Sequence, residues 1–237
     1  MVAVLVDSDA TELLLLRRAL GRATLDDYVA WAVDQLARNV DGPNLRILAG
    51  LSTRFDRDEI ERYFVLSCRE LGLSVTNAAA PVLDVARLVR TAHERGSVTA
   101  KEALEMMVDV YYSSGPENDE LLAPWQAMRA ALEWGEGSIY SGALTPLDAA
   151  IRHEWTLLER ASRLSLPPGW LEFSRCSDCG HVGDIHVELA PLGARLLGAF
   201  KQQPAGLRAL CEQCGSQKLT TLRNPAAREA YFDSLSR

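Results

Sequence analysis

The chain has 237 residues, of which 48% are hydrophobic and 24% charged, and its formal net charge is −7. This composition is typical of a globular chain that buries a full core in one large or two unequal domains. No apolar run reaches the roughly 18 residues that a membrane-spanning helix needs. Residues 1–169 hold 17 Lys and Arg against 25 Asp and Glu, a net of −8, whereas residues 170–237 hold 8 against 7, a net of +1. We therefore do not expect a protein that binds nucleic acid mainly through phosphates, which requires a basic surface.

The first 165 or so residues carry the apolar period of amphipathic helices. The clearest apolar faces comprise Val29, Ala32, Val33 and Leu36; Ile60, Phe64, Cys68 and Leu71; and Leu104, Met107, Val108 and Tyr111. Breaks rich in glycine, proline or serine separate the periodic segments at 42–43, 72, 96, 113–116, 135–142 and 167–169. The pattern predicts six or seven helices, arranged as a helical bundle or a short α-solenoid.

Several helix starts are marked by a capping residue three positions before an acid, because such a pair satisfies free N–H groups of the first turn. The pairs are Thr24 with Asp27, Asp56 with Glu59, Thr99 with Glu102, and Thr145 with Asp148. Pro146 suits the first helical position, where its missing N–H is not needed.

The period changes from helical to alternating after about residue 170. Apolar and polar residues alternate over 184–189, as a half-buried strand requires. We expect further strands at 171–173 and 219–222 and a closing helix over 224–235. The sequence therefore predicts a mainly α protein, with a helical domain over residues 1–165 and a small α+β domain over residues 170–237.

Two cysteine motifs, Cys176-x-x-Cys179-Gly and Cys211-x-x-Cys214-Gly, are the most specific feature of the chain. Zn²⁺ binds four ligands tetrahedrally, and two cysteines separated by two residues reach adjacent vertices from one turn. The glycine after each second cysteine suits the left-handed backbone conformation that commonly ends such a turn. The motifs predict a structural zinc site on these four cysteines, because a closed thiolate shell leaves no position for a catalytic water.

Other uses of the cysteines are less favoured. An iron or iron–sulfur centre shares these ligands and stays open as an alternative. The chain begins Met1-Val-Ala-Val-Leu-Val-Asp7, without the pattern of a secretory signal, so we expect a cytoplasmic protein whose thiols are not paired in disulfides. Neither motif starts a helix within a βαβ pattern, which argues against thioredoxin-like chemistry.

The spacing between the motifs is unusual. Thirty-one residues separate Cys179 from Cys211, against about 15 to 20 in the common four-cysteine pattern. We expect an insertion between the motifs, with a short helix over the apolar stretch 190–200.

Two features near the cysteines are candidate site residues. Asp184, His186 and Glu188 share one face of the predicted strand and could bind a second metal or act as acid and base, although such a face is more often only solvated. His181 follows the first motif directly, and we expect it beside the ligands or exposed rather than among them.

Three features of the helical part have simpler interpretations. Cys68 falls on an apolar helix face, which favours a small core residue over a nucleophile. His153 and Glu154 lack the second histidine of a zinc-protease helix and are predicted to be a pair on a helix surface. Residues 135–142 are rich in glycine but lack the Gly-Lys-Ser/Thr ending of a phosphate loop, which favours a flexible interhelical loop. We assign no catalytic residue.

Two family resemblances follow from these motifs. The last 65 or so residues resemble a zinc ribbon, carried on Cys176, Cys179, Cys211 and Cys214. The segments 28–33, 44–51, 59–64 and 69–73 resemble an uncharacterised bacterial helical module met in proteins of the toxin-immunity neighbourhood, over roughly residues 24–160. The second resemblance implies an acidic binding protein without catalytic residues, which presents carboxylates to a basic partner.

These observations lead to one main hypothesis and two alternatives. We expect a non-enzymatic binding or adaptor protein of a bacterial cytoplasm, for example of the immunity or antitoxin type, that carries structural zinc and binds another protein. Its candidate anchors, if exposed, are Trp31, Trp125, Trp134, Trp155 and Trp170. A nucleic-acid-binding zinc ribbon would instead use Arg175, Arg208, Lys218 and Arg223. An enzyme with an unrecognised site around His153, His181 or His186 is the other alternative. The partner and the oligomeric state do not follow from the sequence.

Overall fold

The computed structural model describes residues 8–52, 57–73, 75, 81–134, 144, 146–189 and 207–236. These residues contain nine α-helices and five short β-strands. The predicted fold class, mainly α with a small α+β C-terminal part, is confirmed. In the described ranges no helix is both long and apolar enough to cross a bilayer.

The chain divides into two compact units, Met1–Ser114 and Gly115–Arg237. In the described part of the first unit there are six helices: α1 (Ser8–Ala19), α2 (Leu25–Ala37), α3 (Pro43–Gly50), α4 (Arg57–Glu70), α5 (Val82–Glu94) and α6 (Ala100–Ser113). An aromatic cluster from α2 and α4 lies in its core, where the Phe64 ring centroid is 4.5 Å from that of Tyr28 and 5.3 Å from that of Trp31.

Two of the predicted helix starts are confirmed in full. Thr24 caps α2 and Thr99 caps α6, and each forms a reciprocal capping box with the acid three positions on, Asp27 and Glu102. The other two predicted pairs include Asp56 and Thr145, which lie outside the described residues. Helix α8 begins one residue later than predicted, because Pro146 occupies the position before its first helical residue.

The apolar faces agree with the sequence pattern at most positions. On α4 and α6 all the predicted face residues are buried or half-buried. On α2 the prediction is wrong at Val33, whose side chain is 51% exposed. The α2 face that packs inward instead contains Tyr28, Trp31, Ala32 and Gln35, so a polar amide takes a core position.

The described residues of the second unit form three helices: α7 (Asp119–Trp134), α8 (Leu147–Ala161) and α9 (Pro225–Leu235). The predicted closing helix is α9, which is capped by the side chain of Asn224. A core cluster of the second unit combines residues from α8, from the turn before the first cysteine motif, from the residue after the strand at 219–221 and from α9: Leu157, Ala161, Trp170, Leu171, Leu222, Ala227, Tyr231 and Phe232. The predicted domain boundary near 165–170 falls inside this unit and stays a prediction.

Five strands surround the cysteine motifs: β1 (Ser174–Cys176), β2 (Val182–Gly183), β3 (Ile185–Leu189), β4 (Leu207–Cys211) and β5 (Leu219–Thr221). They form an antiparallel three-stranded sheet in the order β2-β1-β5 and an antiparallel two-stranded ribbon of β3 and β4. The predicted strands at 184–189 and 219–222 correspond to β3 and β5.

Some sequence predictions differ from the structure. Eight helices precede residue 165 in the described chain, one or two more than predicted, and the short α3 begins at Pro43, inside the predicted break at 42–43. The predicted strand at 171–173 is wrong, because Trp170–Glu172 form a 3₁₀ turn and the strand follows it. The sequence analysis missed β2 and β4. The predicted insertion helix over 190–200 and the predicted loop over 135–142 lie outside the described residues.

Candidate metal centre

Strand pairing brings the two cysteine motifs together. Cys176 is the last residue of β1 and Cys211 the last residue of β4, so each motif begins where a strand ends. Strand β1, before the first motif, pairs with β5, after the second, and Cys176 lies opposite Leu219. Strand β3, after the first motif, pairs with β4, before the second, and Ile185 lies opposite Cys211. The main-chain hydrogen bonds of the β1–β5 and β3–β4 pairings therefore hold the two turns side by side.

The two turns have the same local structure. The Gly180 N–H donates to the Cys176 carbonyl at 3.0 Å, and the Gly215 N–H donates to the Cys211 carbonyl at 2.8 Å. The Cys176 N–H in turn donates to the carbonyl five residues on, as does the Cys211 N–H. Gly180 and Gly215 have φ angles of +77° and +70°, which confirms the left-handed conformation predicted for both glycines.

The four cysteine sulfur atoms lie close together. The Sγ atoms of Cys176 and Cys214 are 3.6 Å apart, and those of Cys179 and Cys211 are also 3.6 Å apart. All four lie within 4.8 Å of one another. A tetrahedral zinc ion with Zn–S bonds of about 2.3 Å needs S···S distances of about 3.8 Å. The four sulfurs could therefore bind one zinc ion with only small shifts in their positions.

The thiols differ in acidity. The Cys179 and Asp178 N–H groups point at the Cys176 sulfur and lower the pKa of that thiol to about 6. At Cys214 the Ser216 N–H lowers the pKa, but the neighbouring Cys179 sulfur, burial and the other thiols outweigh it and raise the pKa to about 12. The Cys176 thiol therefore ionises more readily than the Cys214 thiol, and a bound cation would compensate the negative charge of further thiolates.

His181 contributes its main chain to the first turn, since its carbonyl accepts the hydrogen bond from the Cys176 N–H at 2.9 Å. Its Nε2 atom is buried and has no hydrogen-bond partner among the described residues. Among the described residues, the group of side chains close enough to share a metal does not include His181, and its expected place beside the ligands stays a prediction.

The polar face of β3 does not form a second centre. The His186 Nε2 atom lies 3.4 Å from Glu188 Oε1, and both side chains are exposed. Asp184 lies before the strand and is also exposed. Within the described ranges, the four cysteines are the sole group of three or more potential ligands close enough to share an ion.

Two of the basic side chains near the motifs are held in ion pairs. Lys218 Nζ donates to Asp178 at 2.9 Å, and Arg223 pairs with Glu172. Arg208 lies opposite Glu188 in the β3–β4 ribbon. This arrangement lowers the positive charge available to a nucleic acid at the motifs.

A buried polar contact in the second unit was not predicted from the sequence. Glu154 was predicted on a helix surface but is buried, and its carboxylate accepts two hydrogen bonds from the buried guanidinium of Arg228 on α9. His153 lies half-buried with its Nε2 3.5 Å from a carboxylate oxygen of Glu229. The helical period alone could have predicted that Glu154 is buried, because Glu154 lies four residues after Ala150 and four before Leu158 on the inward face of α8.

Cys68 is a core residue, as predicted. It is buried on α4, and burial raises the pKa of its thiol to about 12, which keeps it protonated and unreactive.

The tryptophans separate into two groups. Four of the five candidate anchors are buried: Trp31, Trp125, Trp155 and Trp170. Trp134, the last residue of α7, is 80% exposed. Trp134 is therefore the candidate anchor that remains on the surface of the described chain.

No protein-family model matches this chain, and no match was found among curated proteins or solved structures. Fold and site therefore define its class by themselves: a mainly helical protein with a small α+β part that brings four cysteines within metal-binding distance.

Proposed function

We propose that Cys176, Cys179, Cys211 and Cys214 bind one Zn²⁺ ion that has a structural role. The observation that carries this proposal is the cluster of four sulfur atoms within 4.8 Å, on two turns of the same backbone geometry. Four thiolates complete a tetrahedral shell, so no position is left for a substrate or a catalytic water. The ion would link the strands that lead into and out of both turns, as in a zinc ribbon.

We further propose that the chain is a binding or adaptor protein rather than an enzyme, and that its helical part presents the surface. The residues that connect the first unit to the metal centre, 115–169, contain eight Asp and Glu against four Arg, a net of −4. The exposed Trp134 lies in this stretch, beside Glu133. An exposed aromatic ring within an acidic stretch of the chain suits a protein partner with an apolar pocket and a basic rim. A basic partner also agrees with the immunity-type resemblance of residues 24–160.

The test is affinity purification from the lysate of the source cell, with wild type and Trp134→Ala as baits. We expect wild type to retain a defined protein whose measured affinity falls about 30-fold or more in Trp134→Ala, the loss typical of a central aromatic anchor. Tyr112→Ala, which removes an exposed aromatic residue of the first unit, is the matched control.

Three results would contradict the proposal. Wild type could retain no protein, or Trp134→Ala could bind the same partner equally well. Salt-sensitive binding of RNA or DNA that is lost in Arg175→Ala and Arg208→Ala would instead favour the nucleic-acid alternative.

A further inference from the structure

The carboxylate of Asp178 joins the two cysteine turns. Asp178 lies inside the first motif, directly before Cys179. Its Oδ2 atom accepts a hydrogen bond from the Ser216 hydroxyl at 2.8 Å, and its Oδ1 atom accepts one from Lys218 Nζ at 2.9 Å. Both partners follow the second motif, 38 and 40 residues further along the chain.

Two main-chain contacts complete this group. The Lys218 N–H donates to the Ser216 hydroxyl oxygen at 3.1 Å. The Ser177 N–H donates to the Lys218 carbonyl at 2.9 Å. We call Asp178, Ser216 and Lys218 the Asp178 clasp. It uses both oxygens of one carboxylate and connects the turns without using a ligand atom.

We propose that Asp178 is a positioning residue of the metal centre: through the clasp it holds the two cysteine turns at binding distance, which strengthens metal binding and slows metal loss. The inference rests on the proposed binding of a metal by the four cysteines. It goes further by assigning a role to a residue that is not a ligand.

The chain between the motifs explains why a clasp is needed. The 31 residues between Cys179 and Cys211 are longer than the connection in the common four-cysteine pattern, so the entropic cost of holding the turns together is larger. Four thiolates around one divalent ion also carry a net charge of 2−, and their mutual repulsion favours separation of the turns. Contacts that join the turns directly oppose both effects.

Lys218 has a second effect on the centre. The hydrogen bond to Asp178 raises the pKa of the Lys218 ammonium group, and negative charge at Cys176 raises it further. A cation close to the thiolates offsets part of the excess negative charge of a four-thiolate site. The side chains of Lys218 and Asp178 are nonetheless 72% and 44% exposed, so solvent weakens each contact.

The test measures metal affinity in the full chain by competition between the protein and a chelator, with Zn²⁺ and with Co²⁺ as probes. Loss of residues that hydrogen-bond around a metal centre typically weakens binding by about 10- to 100-fold, and the exposure of the clasp favours the lower end. We therefore expect Asp178→Asn to weaken binding about tenfold and to speed metal loss. Ser216→Ala and Lys218→Met should each give a smaller change in the same direction.

Two controls separate positioning from other effects. Glu212→Gln removes one negative charge from the second motif, so it tests charge alone, and we expect a change of less than about twofold because exposed charges are screened. The Co²⁺ absorption spectrum reports the ligand set, and in Asp178→Asn it should keep the bands of four thiolates at saturating metal.

The outcomes distinguish the two proposals. If wild type binds neither metal, the proposed metal site fails and the role of Asp178 fails with it. If wild type binds metal but Asp178→Asn binds it equally tightly and releases it equally slowly, only the clasp is overturned. An equal loss in Glu212→Gln would also overturn it, because the effect would then be one of charge. Asp178→Asn could also fail to fold, in which case Ser216→Ala decides by the same measurements.

Discussion

Arg228 and Glu154 form a nearly fully buried ion pair between α9 and α8, with side-chain exposures of 3% and 1%. Arg228 Nη1 and Nη2 donate to the two carboxylate oxygens at 2.9 and 2.5 Å. Helix α8 precedes the metal centre in the chain, and α9 follows it. The pair therefore connects the two helices that flank the cysteine motifs in the chain.

Removal of one member of this pair should strongly destabilise the second unit. Glu154→Gln leaves the Arg228 guanidinium buried without its counter-charge, and breaking a buried pair typically costs about 3–5 kcal/mol. We expect a loss of this size in the free energy of unfolding, measured by urea denaturation followed by circular dichroism.

The double replacement Glu154→Leu with Arg228→Met should recover most of that loss, since apolar residues of similar volume can substitute for a buried pair. Asp148→Asn, which weakens the exposed Asp148–Arg152 pair on the same helix, is the control and should cost less than about 0.5 kcal/mol. Similar losses for Glu154→Gln and Asp148→Asn would show that the buried pair contributes no more than a surface pair.

Loss of one cysteine ligand should abolish tight metal binding. Cys176→Ser removes one thiolate of the four, and we expect the zinc content to fall from one equivalent per chain to nearly none after dialysis. Chelation of the metal from wild type should reduce the thermal stability of the second unit, because metal-binding free energy contributes directly to folding.

Cys68→Ala provides the matched cysteine control. Cys68 lies in the core of the first unit and is not a member of the sulfur cluster, so zinc content should remain at one equivalent. Elemental analysis of the purified proteins measures both variants. One equivalent of zinc in Cys176→Ser would mean that the metal lies elsewhere.

We expect the glycine after each cysteine pair to be needed because its φ is positive, and not because a larger side chain would clash. Nothing lies within 4 Å of a Cβ atom built at Gly180 or Gly215, so a substitution there meets no steric contact. A non-glycine residue at the φ of +77° at Gly180 costs about 1–2 kcal/mol. Gly180→Ala should therefore weaken Zn²⁺ binding by about 5- to 30-fold in chelator competition.

Gly50→Ala is the control for this substitution. Gly50 ends helix α3, also has no atom within 4 Å of a built Cβ, and does not have a positive φ. Alanine there should leave metal binding unchanged and keep or slightly raise stability. Unaltered metal affinity in Gly180→Ala would contradict the conformational argument.

The capping box of α2 should make stability depend on pH. The Thr24 N–H donates to the Asp27 carboxylate at 2.8 Å, and this hydrogen bond lowers the pKa of Asp27 below its usual value of about 3.9. A lowered folded pKa contributes stability that is present above the unfolded pKa and is lost as pH falls through the folded pKa. Asp27→Asn should thus lose about 0.3–1 kcal/mol at neutral pH and nothing at pH values below both pKa values.

Urea denaturation of wild type and Asp27→Asn over the acidic pH range measures this difference. Glu102, the equivalent acid of the α6 capping box, also has a lowered pKa, so Glu102→Gln should show the same pH profile. A difference between wild type and Asp27→Asn that stays constant down to low pH would rule out an effect of the carboxylate charge.

The predictable part of the fold consists of elements whose signals are local. Thr24 and Thr99 cap their helices because the partner acid is three residues away, within the same turn. The alternation over 184–189 marks β3 for the same reason, since the strand period is read from consecutive residues. The proximity of the four sulfurs was also predictable, because motif spacing encodes tetrahedral geometry.

The elements that were missed depend on distant partners. Strand β4 has no strong alternation of its own and is stabilised by its pairing with β3. Residues 171–173 have the composition of a strand, yet Trp170 and Leu171 pack into the helical core and form a 3₁₀ turn. The burial of Glu154 also depends on a distant partner. Its carboxylate is buried because Arg228, 74 residues away in the chain, pairs with it.

The sequence by itself determined the helical character of the chain, the caps of α2 and α6, and the identity of the four cysteines that can share an ion, because these depend on residue type and short spacing. Only the tertiary structure decided that the β1–β5 and β3–β4 pairings bring the two turns together, that Asp178 reaches Ser216 and Lys218, and that Arg228 and Glu154 join α9 to α8. The physical reason is that these contacts form between residues far apart in the chain, whose meeting depends on the free energy of the whole packed unit rather than on any local pattern.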